Sequence, residues 1–74
     1  MAQIIKIQTP ALRVNDIILG HLGTSFARRD RVAAIHAVPG SKALRIEMIC
    51  ETPILQGKVT VEYSSPEMYH HVER

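Results

Sequence analysis

The residues of this 74-residue chain whose types are equipped for chemistry are four histidines, a run of arginines and a single cysteine. His70 and His71 are adjacent, so on a strand they point to opposite faces and do not share one metal ion. A metal site would have to recruit His21 or His36, and the ligand spacing of such sites is missing. His36 sits in an apolar run and reads as a partly buried polar residue. Cys50 has no partner for an intrachain disulfide, and its apolar neighbours mark it as a small buried hydrophobe rather than a reactive thiol. The chain has no G-x-S-x-G, Walker loop, H-E-x-x-H or C-x-x-C motif. The expectation is therefore a binding module with no catalytic residues, metal or cofactor. An enzyme is the third reading, because so small a core leaves little concave surface for a site.

The arginines carry the clearest surface signal. Arg28, Arg29 and Arg31 present planar guanidinium groups suited to phosphate or carboxylate. On a strand, Arg29 and Arg31 share a face and Arg28 opposes them. The competing reading is a solvated edge whose charges discourage strand pairing. Joined by Lys42, Arg45 and Lys58, the cluster supports an alternative in which the protein binds nucleic acid. A net charge of +2, one Phe and two Tyr rank that alternative second, since stacking platforms would have little to build with. Ile54 and Leu55, beside Pro53, form the other candidate. They anchor a protein partner or a second copy of the chain, or they cap one end of the fold. Protein interaction through the 52–56 loop or an open strand edge is the leading reading.

These residues must be positioned by one small core, because the length allows a single domain, 1–74, and no second one. No stretch approaches the roughly 18 apolar residues of a membrane helix, and the N-terminus lacks signal-peptide character, so a cytoplasmic protein without membrane contact is expected. The four prolines, at 10, 39, 53 and 66, cut the chain into short pieces rich in branched residues, the pattern of an all-β sandwich or barrel. Ile4, Ile5 and Ile7 predict a first strand ending before Thr9-Pro10. Asn15-Asp16 predicts a tight turn ahead of Ile17, Ile18 and Leu19. Gly20 and Gly23 predict an irregular loop around His21-Leu22.

Segment 26–37 has two readings. Its alanines favour helix with Ser25 as cap, but the arginines fall at the positive helix end and no continuous apolar stripe forms. Strand is the preferred reading. Pro39-Gly40 predicts a hairpin turn into a run with Leu44, Ile46, Met48 and Cys50 on one face, Arg45, Glu47 and Glu51 on the other, and Ile49 as the exception. In K-V-T-V-E-Y, alternation predicts Val59, Val61 and Tyr63 inward, with Lys58, Thr60 and Glu62 in water. Ser64-Ser65-Pro66-Glu67 then predicts a single 3-10 turn leading into a last strand, Tyr69 to Glu73.

In this order of elements the chain resembles small SH3-like β-barrel proteins, several of them encoded by actinobacterial phages. The matching residues are Leu12, Val14, Asp16, Ile17, Ile18 and Leu19 in the entry, Pro39, Gly40 and Ser41 in the turn, and Pro66 and Glu67 in the closing turn. The resemblance spans nearly the whole chain. It implies a five- to six-stranded barrel with a short 3-10 turn before the last strand, and a phage-type accessory role. Such proteins often carry Gly-Asp in the entry, where this chain has Asn15-Asp16. No activity is common to them, so none carries over.

Overall fold

The computed structural model describes residues 3–22 and 25–74, with side chains omitted at 21, 22, 25–27 and 54. Six strands form one antiparallel sheet: β1 (Ile4–Gln8), β2 (Ile17–Leu22), β3 (Ser25–Ala37), β4 (Leu44–Cys50), β5 (Val59–Ser64) and β6 (Tyr69–Glu73). The spatial order is β1-β6-β2-β3-β4-β5. The C-terminal strand thus inserts between β1 and β2, and β1 and β5 are the two edges. Single 3-10 turns at Thr9–Ala11 and Pro53–Leu55 punctuate the connections. Before β6, Met68 N–H donates to the Ser65 carbonyl at 3.2 Å and closes one further turn of the i to i+3 type. No α-helix occurs among the described residues.

Segment 26–37 is strand because it serves two neighbours. Its first half pairs with β2 from Ser25 to Arg31, and its second half pairs with β4 from Asp30 to Ala37. Ladder bonds on both edges outweigh the modest helix preference of its alanines. A register shift between Val32 and Ala34 leaves Ala33 as an extra, exposed residue. That bulge keeps Val32 and Ile35 on the same face although three positions separate them, opposite Met48 and Ile46.

The expected loop at Gly20 is instead strand. β2 continues to Leu22, and the irregularity is a register shift between Gly20 and Leu22. Turn chemistry elsewhere matches the sequence. Asn15 takes φ of 78° and Gly40 φ of 75°, the left-handed geometry that tight turns require. The Asn15 N–H donates to the Val32 carbonyl, and Val32 N–H donates back to Asp16, which fastens this turn to β3.

Leu12, Val32, Ile46, Met48 and Val72 form the core, with Ile5, Ile7, Ile18 and Ile35 packed against it. Each fully buried side chain of this kind contributes about 1.5–3 kcal/mol. The alternation expected for β4 is present, with Ile46, Met48 and Cys50 buried and Ile49 outward.

The expected facing of β5 is reversed. Val59, Val61 and Tyr63 are 64%, 45% and 64% exposed, while Ser64 is buried and Thr60 is half-buried. Register explains it. Met48 pairs with Thr60 and Ile46 with Glu62, and residues directly opposite in a sheet share a face, so β4 places the polar set of β5 on the inner side.

Candidate functional site

The three arginines come to rest on carboxylates. Arg28 Nε donates to Asp30 Oδ2 at 2.9 Å, Arg29 pairs with Glu73, and Arg31 bonds both oxygens of Glu51 at 2.9 and 3.1 Å. These bonds hold the Arg28 and Arg29 guanidiniums firmly protonated and pull Glu73 below the usual carboxylate range. As expected for a strand, Arg28 is separated from its two neighbours. It turns to the inner face, and Arg29 and Arg31 lie outside, Arg29 reaching across β2 to Glu73 of β6 and Arg31 reaching Glu51 just beyond β4.

Leu55 is half-buried in the 3-10 turn, and the side chain of Ile54 lies outside the described residues. The residues leading into the turn are tied to β3: Arg29 N–H donates to buried Thr52 Oγ1 at 2.9 Å, and Glu51 N–H donates to the Arg29 carbonyl at 2.8 Å. His36 is exposed, not partly buried, and its Nε2 lies 2.8 Å from Glu47 Oε2, drawing that carboxyl downward. Cys50 is fully buried. His70 and His71 face opposite ways, His70 buried and His71 exposed.

Sequence reasoning missed a cleft on the inner face. The sheet curls until β5 overlooks the start of β6, forming an open cleft of about 570 Å³ lined by Ile18, Arg28, Asp30, Met48, Glu62 and His70 among others. Asp30 is 7% exposed, and with Oδ2 occupied by Arg28 its fully buried Oδ1 has no hydrogen-bond partner among the described residues. Leaving a buried polar oxygen unpaired costs about 1–3 kcal/mol. Thr60 Oγ1, on β5, is likewise buried without a partner among the described residues. His70 Nε2 lies 2.8 Å from Thr9 Oγ1. Burial pushes the His70 imidazole below its ordinary value, and the Glu62 carboxylate restores only part of that. The period-2 pairs Arg28/Asp30 and Thr60/Glu62 are visible in the sequence, but their convergence depends on the curl of the sheet.

The other distinctive face is the outside of β5. Val59, Val61 and Tyr63 line it, and Ile49 lies directly opposite Val59 on β4, also exposed. Cys50 N–H donates to the Lys58 carbonyl at 2.9 Å. Backbone groups alternate in direction along a strand, so those of Val59, Val61 and Tyr63 point to the open edge. At the opposite edge, β1 turns Ile4, Lys6 and Gln8 outward, and Lys6 Nζ sits 4.9 Å from the Tyr69 ring centre.

Fold and faces define a small all-β domain with a cleft of mixed polar and apolar lining on its concave side and an apolar strand at one edge of the sheet. Comparison with protein-family models, with curated proteins and with solved structures gave no match.

Proposed function

We propose that this protein is a non-catalytic binding module acting through protein contact, and that the occupant of its β5 edge is a second copy of the chain. The observation that carries the reading is β5 itself, a terminal strand of the sheet with three large apolar side chains exposed in alternation. Such an edge is a template for strand addition, and single-domain proteins ordinarily guard it with charge, proline or a bulge. β1 has that guard in Lys6, whereas the outer face of β5 has none.

A two-fold axis through Val61 makes the edge self-complementary. Antiparallel pairing about that axis sets Val59 against Tyr63 of the second copy, an aromatic on β-branched pair, and exchanges the outward backbone groups of 59, 61 and 63. On the other face Lys58 of one copy lies diagonal to Glu62 of the second, opposite charges within reach of long side chains. The nucleic-acid alternative draws less support, because each of the three arginines already holds a carboxylate.

Light scattering across a concentration series tests the reading. Wild type is expected at twice the chain mass of 8.3 kDa, and Val61→Lys at the monomer mass with unchanged circular dichroism. A wild type monomeric at every concentration, or a dimer indifferent to Val61→Lys, overturns it.

A further inference from the structure

We propose that the hollow at the turn end of the β3–β4 hairpin binds a small aromatic monocarboxylate, with Arg45 anchoring its charge. The hollow holds about 270 Å³, and Arg45 shares it with His36, Val38, Pro39 and Tyr63. Strand pairing builds the row. His36 of β3 lies opposite Arg45 of β4, and Arg45 lies opposite Tyr63 of β5, so the three side chains stand side by side on one face. The apolar wall comes from the turn, which the Ser41 N–H closes by donating to the Val38 carbonyl at 3.1 Å.

Arg45 is half-buried, yet it has no carboxylate of its own, and all seven Asp and Glu of the chain are among the described residues. Arg74, Arg28, Arg31 and Arg29 hold Asp16, Asp30, Glu51 and Glu73. Glu47, two positions along β4, bonds His36 at 2.8 Å instead. No bond joins Arg45 to the remaining two, Glu62 and Glu67. A planar guanidinium lining a hollow in this state is equipped to receive a carboxylate through two parallel N–H bonds. Glu47 offsets part of its field, being drawn below the usual carboxylate range first by the His36 bond and less by Arg45. The hollow therefore balances one negative charge rather than two, which favours a carboxylate over a phosphate dianion. The body of the ligand follows from the walls. The Tyr63 side chain is widely exposed, and with Val38 and Pro39 it gives apolar surface on which a flat ring packs in offset or edge-to-face contact. A volume at the small end of ligand sites suits one ring and its charged group.

The hollow is built within one chain, so it stands or falls apart from the pairing of β5. The test titrates isotope-labelled protein with benzoate, neutral benzamide and inorganic phosphate at constant ionic strength, read by amide chemical shifts. Benzoate is expected to give saturable shifts at residues 36–38, 45 and 63, with a Kd on the order of 1 mM. Benzamide and phosphate are expected to give none that saturate by about 10 mM. Arg45→Gln should weaken benzoate about tenfold or more, the loss of a charge-assisted pair. Arg45→Lys, which keeps the charge and loses the fork, should recover only part of that affinity. Tyr63→Ala, at an exposed position, should weaken binding several-fold with the fold intact by circular dichroism, and it reads the site even where Arg45→Gln disturbs the strand. Benzoate shifts that fail to saturate by about 10 mM, that fall elsewhere, or that benzamide or phosphate reproduces overturn the proposal. So does binding unchanged in Arg45→Gln or in Tyr63→Ala.

Discussion

Arg74, at the C-terminus, grips Asp16 with two parallel bonds, Nε to Oδ1 at 2.8 Å and Nη2 to Oδ2 at 3.0 Å, across 58 positions of sequence. The same carboxylate accepts the Arg13 N–H at 2.9 Å and so also closes the turn before β2. Burial raises the Asp16 pKa, but the Arg74 and Arg13 bonds together outweigh it and leave the group below its ordinary value. One buried side chain thus fixes both the entry to β2 and the end of β6, the two strands that pair across it. Asp16→Ala should lower stability by about 1–2 kcal/mol, the scale of bonds lost by an ordered carboxylate. Urea denaturation measures it, with the slope unchanged if the fold is retained.

His70 predicts a pH dependence above the carboxylate range. Its folded pKa lies below the ordinary 6.5 because burial disfavours the charged ring. The folded state therefore binds fewer protons than the unfolded state in that window, and stability rises with pH there. The contribution is complete above pH 6.5 and is lost as pH falls through the folded value. Melting temperatures of wild type should decline as pH falls below 6.5, while His70→Gln, which keeps a polar group near Thr9, should be flatter until the carboxylates titrate. Parallel curves for the two proteins would remove His70 as the cause.

Ile46 and Val32 are both fully buried at the centre of the core. Ile46→Ala should cost about 2–5 kcal/mol and Ile46→Val about 0.5–1.5 kcal/mol. By contrast, Ile49→Thr on the outer face should change monomer stability little. Chemical denaturation of the three variants under one set of conditions orders them.

The paired arginines predict weak binding to polyanions. Duplex or single-stranded DNA should give little mobility shift even at low salt, because a phosphate must displace Glu51 or Glu73 from its guanidinium. Releasing those cations in a Glu51→Gln, Glu73→Gln double variant should raise the affinity and make it fall steeply with added salt. Strong salt-dependent binding by wild type would instead favour the nucleic-acid alternative.

Asn15 occupies a left-handed conformation in the turn ahead of β2. Asn15→Gly should leave stability within a few tenths of a kcal/mol, whereas Asn15→Val should cost about 1–2 kcal/mol, because a β-branched residue pays most for positive φ. Thermal melts of the two variants discriminate.

Local chemistry determined much of the chain directly. Branched residues in β1, the Asn15 and Gly40 turns, the alternation of β4 and the bounds of β6 are readable in sequence because each depends on neighbours a few positions away. Strand in place of helix for 26–37 was readable from the arginines, although its two ladders secure it. The sheet decided the rest. Alternation gives the period of a strand but not which of its faces is buried, and for β5 the register with Ile46 and Met48 chose the polar one. An edge strand has no second neighbour, so nothing forces Val59, Val61 and Tyr63 inward. In the same way, 28–31 shows three cations in sequence, yet their partners come from residues 51 and 73 and from within the strand. The cleft exists only because the curl of the sheet brings β3, β5 and β6 around one space. Charge and spacing are local properties, whereas the field inside a cleft is a sum over strands distant in the chain.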